Sequence, residues 1–264
     1  MISTAPTILC DLDGTLYTSS VTVKGAVAAV KELRKHGSVL RFFTNTDSRP
    51  ASVLSEELML RGFDVSADEV FTPATAAENL LKGAPRARVL ALLSPQLTPM
   101  FRPFIATDED FVTHVVIGAV SDVLTWELMD KAFRALQSGA ELVALQRGRY
   151  SKHPDGNHID TGAFVVALEF AAGVQARIMG KPSSEFLALA AASAGTTPAD
   201  VWVIGDDATT DIAMGNQAGA VTVQVQTGKY GEQSAERQVN AATHTIASVA
   251  DLPSLIAKFL VQRP

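Results

Sequence analysis

The stretch CDLDGTLY, Cys10 to Tyr17, decides how the rest of the chain is read. Ile8-Leu9-Cys10 is a short apolar run that reads as a buried strand, and two carboxylates, Asp11 and Asp13, stand at its end. A turn at a strand end calls for polar residues, but not for this pair followed by Gly14-Thr15. Further along, polar motifs also follow apolar runs at Thr44, Lys181 and Asp206. In open parallel sheets the carboxyl ends of the strands are where ligands bind.

The intervening pattern supports such a sheet. After the strand Thr7 to Cys10, Val27, Val30 and Leu33 or Arg34 recur at helical spacing within Val27 to His36, Gly37 ends the helix, and Val39 to Phe43 reads as the next strand. Helices are expected over Pro50 to Leu60, Ala74 to Leu81, Trp126 to Leu136, Gly162 to Ala171, Ser184 to Ala194 and Leu252 to Val261. Val70-Phe71, Arg88 to Leu93, His114 to Gly118, Glu141 to Leu145, Val201 to Ile204 and Val221 to Val225 supply the apolar runs between them. Alternation of this kind implies a parallel α/β architecture. Gln146 to Asp160 is polar and turn-rich, and reads as a functional loop. Trp126, Trp202 and the apolar stripe around Phe164 and Val165 read as core.

Composition narrows the function classes. The chain has 264 residues, 47% of them hydrophobic, which is enough for one large domain or two modest ones. Net charge is −6, with Lys and Arg scattered, so neither nucleic acid nor an anionic membrane surface is the expected partner. Cys10 is the single cysteine, which excludes an intramolecular disulfide; the N-terminus lacks a signal-peptide pattern, and no run is long enough to span a bilayer. A cytoplasmic protein is expected.

Taken in order, DLDGTLY, TNT at Thr44 to Thr46, GKPS at Gly180 to Ser183 and GDDATTD at Gly205 to Asp211 resemble the haloacid dehalogenase superfamily of phosphohydrolases. The resemblance implies a doubly wound parallel-sheet α/β core and a phosphatase. It makes Asp11 the nucleophile that forms an aspartyl phosphate, and Asp13 the acid that protonates the leaving oxygen and then activates water. It makes Lys181 the group that offsets repulsion between Asp11 and the incoming phosphate. Thr44, with Asn45 and Thr46 after it, would bind phosphate. Asp11, the backbone carbonyl of Asp13, Asp206 and Asp211 would hold Mg²⁺, a hard cation suited to oxygen ligands. Asp207 is given no role. Each residue also has a plainer reading: Asp11 and Asp13 as turn formers, Asp206 and Asp207 as helix caps, Lys181 as a solvated residue. Those readings leave the gathering of all of them at one sheet edge unexplained.

Residues 72 to 177 are too many for one crossover and carry their own alternation, so they are expected to form an inserted α/β cap, with residues 1–71 and 178–264 forming the core. This placement resembles that of subclass IIA, the NagD-like proteins. Within it, AFRALQSGAELVALQRGRYSKHPDGNHIDTGAFVVALEF, MGKPS and VIGDDATTDI look most like the phospholysine phosphohistidine inorganic pyrophosphate phosphatase group. The class implies a small phosphorylated metabolite as substrate and a homodimer through the cap. Two departures stand out: Asp47 in TNTDSRP, an added carboxylate near the phosphate loop, and Asp160-Thr161-Gly162 in place of a Gly-Pro-Gly pattern. Arg147 to Asp160 is the candidate specificity segment; His153 and His158 within it are expected to face solvent or substrate, and Arg49 to lie exposed at a helix start. The alternative function is a phosphoacceptor or phosphate-binding module without turnover, with a phosphomutase as a third outcome.

Overall fold

The computed structural model describes residues 5–107, 111–121, 123–153, 155–233 and 240–262. Residues 1–4 of the N-terminus and the side chain of His153 lie outside the described residues. The strands, in chain order, are β1 (Thr7–Asp11), β2 (Tyr17–Thr18), β3 (Val21–Thr22), β4 (Val39–Phe43) and β5 (Val70–Phe71). Then come β6 (Val89–Leu92), β7 (His114–Ile117), β8 (Glu141–Ala144), β9 (Tyr150–His153) and β10 (Gly156–Ile159). The last are β11 (Arg177–Ile178), β12 (Val201–Gly205), β13 (Val221–Val225) and β14 (His244–Ile246).

The chain divides into two compact units. The second is Asn45–Ala51 with Thr72–Gly180, and the first is formed by the other described residues. In the first, one sheet runs β14-β13-β12-β1-β4-β5, with every neighbouring pair parallel. Ile8, Leu9 and Cys10 are all buried, as a central strand covered on both faces requires. From β1 the chain moves outward on one side to β4 and β5, then outward on the other to β12, β13 and β14. The order therefore reverses between β1 and β12, and such a reversal opens a crevice at the strand ends. Phe186 seals one flank against Phe43 and Phe71, and Trp202 packs edge-on to Phe259.

The second unit has a parallel sheet in the order β11-β8-β7-β6. Val115, Ile117, Leu142 and Ala144 from that sheet bury against Ala132, Leu136, Val165 and Leu168 from the helices Trp126–Gln137 and Thr161–Ala172. Among the described residues no helix is long and apolar enough to cross a membrane.

Two readings of the sequence are corrected. Trp126 is 80% exposed, because it occupies the first turn of its helix, ahead of the buried stripe that begins at Ala132. Thr125 caps that turn by accepting the Leu128 N–H at 3.1 Å, so the indole lies outside the packed stripe. The segment within Gln146 to Asp160 is also more than a loop: β9 and β10 pair as an antiparallel hairpin, with Lys152 opposite Asn157. Its residues are polar, so no run of alternating apolar positions announced it.

Candidate active site

The geometry of the candidate site follows from strand register. Cys10 on β1 pairs with Ile204 on β12, so Asp11 and Asp206 leave adjacent strands at the same end. Asp211 returns to that end through a π-helical turn, Ala208–Ile212, in which the Ile212 N–H bonds the Asp207 carbonyl five residues back at 3.3 Å. The wider turn brings Asp211 close enough to accept the Asp207 N–H at 3.2 Å. As a result one carboxylate oxygen from each of Asp11, Asp206 and Asp211 lies within 4.8 Å of the others, and all three residues are buried.

Lys181 supplies the opposing charge. Its ammonium donates to Asp11 Oδ1 and, at 2.7 Å, to Asp211 Oδ1, and it sits 4.5 Å from the centroid of the Phe43 ring. Burial works to lower its pKa, but Asp11 and Asp211 outweigh that and lift it above the ordinary lysine range, so it stays charged. Burial also drives the Asp11 carboxyl well up; Lys181 opposes that rise, while Asp211 and Asp206 add to it. Asp211 is likewise raised by burial, and Asp206 is raised to about 6 by burial and by Asp211. Three buried carboxylates thus face one ammonium. A set made wholly of carboxylate oxygens with surplus negative charge fits a hard divalent cation.

A second layer holds Asp206 in place, and sequence reasoning missed it. The Lys229 N–H donates to Asp206 Oδ2 at 2.7 Å, and Gln224 donates to the Asp206 carbonyl at 3.1 Å. Thr227 donates its hydroxyl to the Gly14 carbonyl, joining the turn after β13 to the turn after β1. A β-carbon on Gly14 or on Gly228 would run into the Asp206 carboxylate. The signal was QTGKYGEQ, a further strand end rich in polar residues and glycine.

Other candidates fall elsewhere. Asp207 accepts from the Thr209 N–H at 2.8 Å, pairs with Lys229 Nζ at 2.7 Å and is held by Gln233 at 2.8 Å. Against its burial, these partners keep its carboxyl well below the usual carboxylate range, so it braces the turn. Asp13 is exposed and stands outside the carboxylate triad; its backbone bridges to Tyr17. Thr44 is buried at the end of β4, with its N–H given to the Phe71 carbonyl at 3.2 Å.

Asn45, Thr46, Asp47 and Arg49 belong to the second unit. There Asp47 is buried and accepts the Thr161 hydroxyl at 2.6 Å. Asp160 caps the helix Thr161–Ala172 by accepting the Thr161 N–H at 2.7 Å, and also accepts from Gln146 at 2.8 Å. Arg49 is half-buried, and the exposed His158 Nε2 lies 3.0 Å from Asp155 Oδ1.

Comparison with known proteins gives a consistent result. A family model for haloacid dehalogenase-like hydrolases matches residues 8–104, and a HAD-hydrolase-like model matches residues 178–252. The human haloacid dehalogenase-like hydrolase domain-containing protein 2 is 36% identical over 233 residues, covering 88% of each chain. The phospholysine phosphohistidine inorganic pyrophosphate phosphatase of Danio rerio is 34% identical over 263 residues, covering 97% of this chain and 94% of its own. Among solved structures, the p-nitrophenyl phosphatase from Archaeoglobus fulgidus superposes with a TM-score of 0.87 at 27% identity, covering 96% of this chain and 99% of its own.

Proposed function

The chain belongs to the haloacid dehalogenase-like hydrolases, in subclass IIA, and is a phosphohydrolase; from that premise we propose a Mg²⁺-dependent phosphatase that cleaves a small phosphorylated metabolite through an aspartyl phosphate on Asp11. The observation that carries this reading is the Lys181 ammonium shared between Asp11 and Asp211, with Asp206 converging on them at the switch point of the sheet.

In this reading the Asp11 carboxylate attacks phosphorus and the bond to the leaving oxygen breaks, while Asp13 gives that oxygen a proton. Asp13, now a carboxylate, takes a proton from water as the water attacks the same phosphorus. The Asp11–phosphorus bond breaks, inorganic phosphate leaves, and both carboxyl groups return to their starting states. Lys181 orients Asp11 and reduces its repulsion toward an anionic phosphate. Thr44, at the end of β4 in the same unit as Asp11, is read as a phosphate-binding residue. Asp11, Asp206, Asp211 and the Asp13 carbonyl would hold the cation, which when bound neutralises negative charge on the phosphate and keeps the carboxylates ionised. The inserted residues 72–177 are taken as the source of substrate specificity.

The test is phosphate release from p-nitrophenyl phosphate, the substrate in the name of the archaeal neighbour, with and without Mg²⁺. Asp11→Asn is expected to lose more than about a thousand-fold in kcat, and acid-quenched wild-type protein to carry a phosphoryl adduct on Asp11. Full activity in Asp11→Asn, or in excess EDTA, would sink the proposal. A screen over sugar phosphates, pyrophosphate and phosphoamino acids then ranks the substrates, since the relatives' names span more than one of these classes.

A further inference from the structure

Arg61 follows the last turn of the helix Ala51–Leu60, and its side chain reaches back to the segment just after Asp13. Nη1 donates to the Ser20 carbonyl at 2.8 Å and Nη2 to the Ser19 carbonyl at 3.4 Å. The guanidinium carbon lies 4.4 Å from the centroid of the Tyr17 ring. One side chain therefore grips both the tip and the first residue of the β2–β3 hairpin. A hairpin with two residues per strand, paired Tyr17 to Thr22 and Thr18 to Val21, has little stability of its own and depends on such ties.

Tyr17 is also where the turn carrying Asp13 is fastened. The Gly14 N–H donates to the Tyr17 carbonyl at 2.7 Å, and the backbones of Asp13 and Tyr17 form a bridge. On the near side the Leu12 carbonyl accepts the N–H of Leu16 at 2.8 Å, with Leu12 and Leu16 both fully buried. Asp13 thus stands between a buried anchor and an exposed hairpin, and only Arg61 among these contacts reaches the hairpin from a packed helix.

We infer that Arg61 is a positioning residue for proton transfer: by clamping the hairpin it fixes the turn that presents the Asp13 carboxyl to the leaving oxygen. This rests on Asp13 being the general acid, as proposed above. A side chain that only stabilised the fold would slow every substrate by the same factor. A side chain that positions the acid matters most where the leaving oxygen most needs a proton.

The experiment is kcat/KM, with Mg²⁺, for aryl phosphates running from p-nitrophenyl to unsubstituted phenyl, in the wild type, Asp13→Asn, Arg61→Ala, Arg61→Lys and Tyr17→Leu. Asp13→Asn should show a loss that grows steeply as the leaving phenol becomes less acidic. Arg61→Ala should lose less than about three-fold on p-nitrophenyl phosphate and about ten-fold or more on phenyl phosphate. Arg61→Lys should recover part of that difference, and Tyr17→Leu should show it in smaller measure. Should Arg61→Ala fail to fold, as judged by circular dichroism, Tyr17→Leu and Arg61→Lys decide. A uniform loss, or none, in the Arg61 and Tyr17 variants beside a steep series for Asp13→Asn overturns the clamp alone. A flat series for Asp13→Asn overturns the acid assignment and the clamp with it.

Discussion

Asp47 carries a carboxyl that the protein buries instead of displaying. From the sequence it was an added charge near the phosphate loop; in the structure it accepts the Thr161 hydroxyl and is 7% exposed. Burial raises it to about 6; the Thr161 hydrogen bond works against that rise and the charge of Asp160 adds to it. In the unfolded chain the same group ionises near 3.8, so the folded state holds its proton more tightly. Stability from this group is therefore complete below about pH 4 and is lost as pH rises through about 6. Asp47→Asn keeps an acceptor for Thr161 and never ionises, so at pH 8 it should exceed the wild type by about 2–3 kcal/mol, with the gap closing by pH 4. Urea unfolding at the two pH values measures this, and a gap independent of pH would contradict it. Asp47 also marks the limit of reading at this scale. Asp11, Lys181, Asp206 and Asp211 stood out in the sequence as polar residues following apolar runs, and the structure brings the four side chains together. Which group spends its charge on which neighbour, as Asp207 does on Lys229 and Asp47 on Thr161, depends on contacts between residues far apart in sequence.

Elements with apolar runs were readable and polar ones were not. Val39–Phe43 and Val221–Val225 match their sequence readings residue for residue, because each is rich in valine and other large apolar residues that favour a buried strand. The hairpins β2–β3 and β9–β10 and the edge strand β14 escaped, since strands of two to four residues with isolated apolar positions are too short to leave a periodic signal. The turn after β13 escaped for another reason: its role is to hold Asp206 from outside. Gly228 there has φ 58°, and a β-carbon would meet both the Asp206 carboxylate and, at 2.7 Å, the Gly14 α-carbon. Gly228→Ala should therefore displace Asp206 and weaken Mg²⁺ binding about ten-fold or more by calorimetric titration. Gly219→Ala is the control: its φ is 74° with nothing within 4 Å of the added carbon, so it should cost about 1 kcal/mol of stability and leave Mg²⁺ affinity alone. Equal effects on Mg²⁺ binding from both substitutions would show that backbone strain, not contact with Asp206, is responsible.

Across the whole molecule, strand order converts distance along the chain into proximity. Lys181 lies 170 residues from Asp11 in sequence yet bonds it, because the chain leaves the first unit after β5 and re-enters beside β1. The alternation of strands and helices foretold a parallel sheet; the order of its strands needed either the structure or the family resemblance, since a single sequence carries no record of which strands pair. This arrangement concentrates uncompensated charge at one edge, and folding must tolerate it. Without a cation, Asp206 takes up protons up to about pH 6, and Asp11 and Asp211 are raised by the same burial. The metal-free protein therefore loses the stability contributed by Asp206 as pH rises through about 6, whereas a cation binds the ionised carboxylates and must displace the Asp206 proton below that pH. Mg²⁺ at about a hundred times its dissociation constant should stabilise the fold by about 2.7 kcal/mol at pH 8, raising Tm by about 5–10 °C. At pH 5 the same Mg²⁺ concentration should give a much smaller shift, and Asp206→Asn should largely remove the shift at both. Differential scanning calorimetry with MgCl₂ against EDTA reads all four conditions. A shift of equal size at pH 5 and pH 8 would mean that the cation is held by something other than this carboxylate cluster.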